Sequence, residues 1–296
     1  MMLDGCRIAD HITGRRIDEA RPVAAPRDSK ALVTALSLVL RPERPIALDG
    51  GVIHGALGAA LHDVSPEAYA AIYDAPIPPY RMAWLAPQLR VCLFGPATRY
   101  AIALAQAVFV MGQRGLGNAR VVARIESIHQ NHGRNGLREL SRSGQWSGLP
   151  EPVPLGDLVM DRYPDANWSL RLDTPLALKR GDRVSRDVPH FAVLLSRSIE
   201  RCARILALGA EFPFVASDVR RSGQEVPVLA SKVQWSEFER YSTRQKRAMP
   251  IGGIRGVVHY GPAPAQALAW IDACSWLGLG GKTTFGLGDI RVTSTI

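Results

Sequence analysis

The same order of strand-like and helix-like segments is read twice along this chain, and that repetition limits its fold more than any other feature. In the first half, Ala31 to Leu40 is apolar on both parities and bounded by Asp28 and Arg41-Pro42, which predicts a central strand. Ile53, Leu57 and Leu61 follow at helical spacing after the Asp49-Gly50-Gly51 turn. Leu89, Val91 and Leu93 alternate with polar or small neighbours as in a strand, with room for another strand around Pro79 to Leu85. Arg99 to Gln113 is almost wholly apolar (Ile102, Leu104, Val108, Phe109, Met111) and predicts a buried helix. Arg120 to Ile128 then alternates Val121, Ala123 and Ile125 with charged residues, a further strand.

Gln130 to Pro154 shifts to Asn, Gly, Ser, Arg and Pro and reads as loop and linker. The order then restarts. Trp168, Leu170 and Leu172 form a strand pattern, and Val188 to Leu208 a helix with Phe191, Leu195, Cys202, Ile205 and Leu206 on its apolar stripe. Ile254 to Tyr260 reads as a strand, Pro264 opens a helix through Leu268, Ile271 and Leu277, and Phe285 to Val292 closes as a strand. The fold class expected is α+β, with two tandem ferredoxin-like (RRM-like) βαββαβ domains. Their expected limits are 29–154 and 155–296, after an N-terminal extension at 1–28.

At 296 residues the chain suits two domains of about 140 residues. No run of about 18 uncharged apolar residues predicts a membrane span. Charges at Asp4, Arg7, Asp10, Arg15 and Arg16 argue against a secretory signal, so a cytoplasmic location is expected. Cys6, Cys92, Cys202 and Cys274 are far apart, which points to neither a zinc site nor disulfides. A net charge of +9, carried by 31 Arg against 5 Lys, favours a polyanionic partner, because guanidinium forks bind phosphate two-pronged and stack on bases.

The segment Leu277 to Arg291 holds five glycines and Lys282. Glycines allow close backbone approach, which suits an anion and equally suits a tightly packed turn. It is not a nucleotide phosphate loop, since Trp276 stands where that loop needs glycine, and its spacing fails the dinucleotide fingerprint as well.

Several segments together resemble one family, the CRISPR precursor-RNA-processing endoribonucleases of the repeat-associated mysterious protein (RAMP) superfamily. They are Pro79-Tyr-Arg-Met82, Gly115-Leu-Gly117, Asp173-Thr-Pro-Leu-Ala-Leu-Lys179, Trp235 with Arg240 to Gln245, Gly252-Gly-Ile-Arg-Gly256 and the terminal glycine-rich segment, in family order from Gly50 to Val292. The resemblance implies two ferredoxin-like domains and one cut per repeat without metal or cofactor. In that chemistry the 2′-hydroxyl attacks the adjacent phosphate and leaves a 2′,3′-cyclic phosphate. It also implies CRISPR repeat hairpin RNA as partner, retention of the crRNA product, and other subunits of a CRISPR effector complex. The alternative is a crRNA-binding subunit with little or no activity; a third reading is an enzyme using the loop for a small phosphorylated ligand.

The family's catalytic histidine commonly lies at or just after the first helix, which selects His54 at its start and His62 at its end. Tyr80, with Tyr73 behind it, is a candidate acid or orienting hydroxyl. His129, His132, His190 and His259 read as loop, cap or surface residues. For grip on RNA the candidates are Lys282 with Gly280, Gly281 and Thr283; Arg240, Arg244, Lys246 and Arg247 beside Tyr241; and a helical ridge of Arg197, Arg201 and Arg204.

Overall fold

The computed structural model describes residue 26 and residues 29–160, 166–206, 225–242 and 247–294. Two antiparallel sheets make an α+β protein. The first contains β1 (Leu32–Pro42), β2 (Tyr80–Leu85), β3 (Gln88–Phe94) and β4 (Ala123–Asn131), in spatial order β2-β3-β1-β4. Helix α1 (Gly50–Val64) follows β1, α2 (Pro66–Tyr73) follows α1, and α3 (Ala101–Arg114) follows β3.

Local chemistry sets these boundaries. Asp49 caps α1 by accepting from the Val52 amide at 2.9 Å. Ser65 ends α1 and caps α2, with Pro66 at the first position of the new helix. The apolar stripe Ile53, Leu57 and Leu61 meets Leu104, Val108 and Met111 of α3 over Leu36, Leu38 and Leu40 of β1, all buried.

Gln130 to Pro154 is not the linker its composition suggests. β4 runs to Asn131, β5 (Leu137–Arg142) and β6 (Gln145–Trp146) extend the sheet edge, and β7 (Val153–Pro154) pairs with β1 before α4 (Leu155–Leu158). The cause is backbone pairing at an edge, where β5 buries only Leu140 and Ser141 and polar residues face solvent.

The second sheet contains β8 (Trp168–Leu176), β11 (Val228–Ser242), β12 (Arg247–Tyr260) and β13 (Ile290–Ser294), in the order β11-β12-β8-β13. A separate two-stranded hairpin, β9 (Lys179–Arg180) and β10 (Arg183–Val184), stands off it. Helix α5 (Phe191–Leu206) follows that hairpin and α6 (Ala265–Leu277) precedes β13. Each sheet thus repeats one pattern: second strand, third, first, fourth, with helices after the first and third. The expected terminal strand from Phe285 is shorter than its pattern. Thr283–Phe285 is a 3₁₀ turn, and the strand begins at Ile290.

One apolar core joins the halves. Val33, Ala35, Cys92 and Phe94, in the first sheet, join a different cluster from the one under α1 and α3, with Trp168, Leu170, Leu195 and Ile271. At the edge of that core, Arg81 on β2 reaches across to Asp289 just before β13, both at most 3% exposed. The Arg81 Nε and Nη2 donate to Trp276 O (2.8 Å) and Ser275 O (2.6 Å) at the end of α6, and Arg90 joins Asp289 Oδ2 at 3.0 Å. Burial opposes the charge on Arg81, but the Asp289 carboxylate outweighs it and the guanidinium ends above its ordinary pKa.

Candidate functional site

The glycine-rich segment folds back between α6 and β13 and is tied to the end of β8. Leu279 N donates to Gly288 O (3.0 Å), Gly281 N to Ala177 O (2.9 Å) and Gly288 N to Pro175 O (2.9 Å). These amides serve the chain itself. At Gly288, which has φ +72°, a Cβ would lie 1.9 Å from Leu279 O, so packing already demands glycine there. Gly281 differs, being exposed with only Ala177 O within 4 Å of a built Cβ. Lys282 beside it holds φ +61° and is exposed, its Nζ 6.0 Å from the Phe285 ring centroid.

The turn Thr283–Phe285 lies against the first turns of α1. A Cβ on Gly50 would come 2.0 Å from Phe285 O, so helix and loop touch backbone to backbone. This contact delivers His54. Its Nδ1 sits 3.0 Å from Thr284 O and 3.0 Å from Tyr80 Oη. A backbone carbonyl only accepts, so Nδ1 carries the proton and shares it between these two oxygens, and the basic nitrogen is Nε2. The ring packs 4.1 Å from Phe285 and 5.0 Å from Tyr73 between centroids.

Tyr73, on α2, donates from its hydroxyl to His54 O at 3.1 Å. Burial pushes its phenol pKa well above the usual value, with a hydrogen bond to Tyr80 lowering it in part. Tyr80 is itself 1% exposed. Tyr80 Oη thus meets the imidazole itself, and the Tyr73 hydroxyl holds the backbone that carries it.

The candidates named from sequence separate into those gathered here and those placed elsewhere. His54, Tyr80, Gly280, Gly281, Thr283 and Lys282 converge on the loop. His62 does not: its side chain is 61% exposed two turns along α1, 3.5 Å from Asp63, and edge-on to Tyr69. Thr283 is buried, and its Oγ1 accepts from Arg201 Nη2 at 3.1 Å. Arg201 also donates to Leu277 O from Nη2 at 2.7 Å and to Gly278 O from Nε at 3.2 Å, bracing the end of α6. Burial pushes its pKa down to about 10, so it keeps its charge at neutral pH.

The ridge expected on α5 is thus split. Arg204 is exposed, Arg197 pairs with Glu200 at 2.8 Å and donates to Lys179 O at 3.1 Å, and Arg201 turns inward. Arg240 and Arg247 stand on the β11–β12 ladder, paired with Met249 and Ser242; Arg244 and Lys246 lie outside the described residues. His129, expected in a loop, is on β4 opposite Ser37, 3.5 Å from Glu139, and His259 Nδ1 meets Ser169 Oγ at 2.7 Å. Sequence reasoning missed the Thr284 carbonyl and the Arg81–Asp289 pair, partners more than 200 positions apart. Among the described residues no group of three or more His, Cys, Asp or Glu could hold a metal ion. Nor is any described helix long and apolar enough to cross a membrane.

The two-sheet architecture is that of solved Cas6 proteins. Thermus thermophilus Cas6 superimposes with a TM-score of 0.60 at 17% identity, over 89% of this chain and 99% of that one. A Cas6 product complex gives 0.57 at 20% identity, over 89% and 100%. A chain of a Cas6-RT-Cas1–Cas2 complex gives 0.57 at 14% identity, over 91% of this chain and 29% of that one. No curated protein matches by sequence. The model of the CRISPR-associated endoribonuclease Cas6 family matches residues 170–290 of this chain.

Proposed function

We propose that the chain is a metal-independent endoribonuclease that binds CRISPR repeat RNA and cuts precursor crRNA by 2′-hydroxyl attack, retaining the product. In this reading the two sheets are tandem ferredoxin-like domains dividing near Pro154. The observation that carries the reading is the position of His54, fixed at the junction of α1 with the glycine-rich loop by Thr284 O and Tyr80 Oη, each 3.0 Å from Nδ1. With Nδ1 protonated, Nε2 takes the proton of the 2′-hydroxyl, and the imidazolium so formed returns it to the departing 5′-oxygen. Exposed Lys282, six positions before the buried Gly288, supplies a cation to the phosphate as its charge grows. Gly281, open to solvent, lets the RNA backbone approach beside it.

Repeat RNA from the CRISPR array of the same genome, incubated with the protein in EDTA, tests this. A single cut ending in a 2′,3′-cyclic phosphate is expected, and His54→Ala abolishes cutting while binding persists. Binding without cutting by the unmutated protein would replace this reading with that of a crRNA-binding subunit.

A further inference from the structure

Hairpin β9–β10 is short, isolated and strongly basic. Lys179, Arg180, Arg183 and Arg186 are exposed along it, against Asp182 and Asp187, and among the described residues none of the four has a carboxylate at ion-pair distance. Its ladder pairs Arg180 directly opposite Arg183. Like charges on one rung of an antiparallel pair destabilise it. A two-stranded ribbon with so few rungs has little stability of its own to offset this. The turn between the two arginines is Gly181-Asp182, with Gly181 at φ +61°, as a tight hairpin of this length demands. The chain thus keeps two guanidinium groups side by side where its fold gains nothing from them.

The hairpin is nevertheless held in one place. Arg197 Nη2 donates to Lys179 O at 3.1 Å, and Ser185 N donates to Leu178 O at 2.8 Å. Val184 packs on the small cluster of Ala177, Ile251 and Leu287, which Phe285 also joins. Phe285 is the ring that lies against His54, so hairpin and site share a floor. Ala177, whose carbonyl receives the Gly281 amide, is three residues before Arg180, a span of about 10 Å at full extension.

We propose that β9–β10 is a phosphate-binding wall that continues the surface of Lys282 and Gly281, with Arg180 and Arg183 gripping the backbone of the RNA strand that passes the site. This rests on the reading that the chain binds RNA. Two guanidinium forks on one rung present parallel donors to adjacent phosphates, and the bound anion removes the repulsion that the free protein carries. The contact is to backbone oxygens, so it adds affinity without adding sequence preference.

The test compares the full-length protein with Arg180→Thr/Arg183→Thr, which places a β-branched pair on the rung, and with Arg183→Glu, which puts opposite charges across it. A control, Arg44→Thr/Arg124→Thr, removes the same charge from the Pro42–Ala123 end of the first sheet. The probe is fluorescein-labelled repeat RNA from the genome's own CRISPR array, titrated from 50 to 300 mM KCl. The paired threonine variant should bind about tenfold more weakly at 150 mM salt, with the slope of log K against log salt reduced by about 1.4 to 1.8. Its melting temperature should not fall, and Arg183→Glu should also weaken binding. The control should keep the original slope. An unchanged slope in the paired threonine variant, or an equal loss in the control, overturns the proposal. Binding without cutting by the unmutated protein would instead end the endoribonuclease reading, while the loss of affinity and slope in the paired threonine variant still decides the wall.

Discussion

Gly50→Ala isolates the contact that brings α1 to the glycine-rich loop. The added Cβ would stand 2.0 Å from Phe285 O and 2.7 Å from Phe285 C, both backbone atoms that no rotamer change can move. Ordinary contact begins near 3.4 Å, so helix and loop must separate by about 1.4 Å. Since His54 lies one turn along the same helix and Thr284 next to Phe285, that separation carries the imidazole off its carbonyl. A displacement of about 1 Å at reacting groups can cost about 100-fold in rate, and overpacking of this kind costs roughly 1–3 kcal/mol of stability. Gly55→Ala is the matched control. It lies on the same helix with nothing within 4 Å of its built Cβ, and should gain up to about 1 kcal/mol from helix propensity. The assay is single-turnover cleavage of repeat RNA at saturating protein, alongside thermal melting. A Gly50→Ala protein that melts lower yet cuts at the original rate would refute the claim that the loop positions His54.

Other perturbations give separate readings. Asp289→Asn leaves Arg81 buried without its counter-charge and should cost about 3–5 kcal/mol in urea unfolding, whereas an exposed pair such as Arg114–Asp63 should change little when broken. Tyr73→Phe should lower the cutting rate severalfold with Kd unchanged, because the hydroxyl holds the His54 carbonyl and touches no RNA. Burial raises the folded pKa of Tyr73, so its stabilising share is complete below about pH 10 and is lost as pH rises beyond that; the Tyr73→Phe protein should show a shallower fall of stability between pH 10 and 11. Cys92, Cys202 and Cys274 are all buried, and should react with a thiol reagent only on unfolding.

The parts of the fold legible in the sequence were those where burial writes its own pattern. β1 is apolar on both parities because helices cover one face and the second half of the chain part of the other, and α3 is apolar nearly all round for a similar reason. β5, β6 and β7 escaped because edge pairing is made by backbone groups, and their side chains keep a loop's composition. Helix α2 left a signal that went unused: Ser65-Pro66-Glu67 is a cap, a first-turn proline and an acidic first turn. In the site, His54 and the loop could each be named from the chain, His54 only through family resemblance. Their meeting through Gly50 and Phe285 could not, because nothing local in residue 50 refers to residue 285. Arg201 looked like one tooth of a basic ridge by spacing alone; the backbone carbonyls at the end of α6 that claim it have no sequence signature.

The ion pair between Arg81 and Asp289 also bears on any attempt to divide the chain. Expressed alone, a fragment ending before Trp168 would lack the Asp289 carboxylate and the Ser275 and Trp276 carbonyls that receive Arg81, and the complementary fragment would lack the guanidinium. Mixing the two should therefore restore a folded species that neither yields by itself, making this polypeptide a natural candidate for a two-piece complementation reporter.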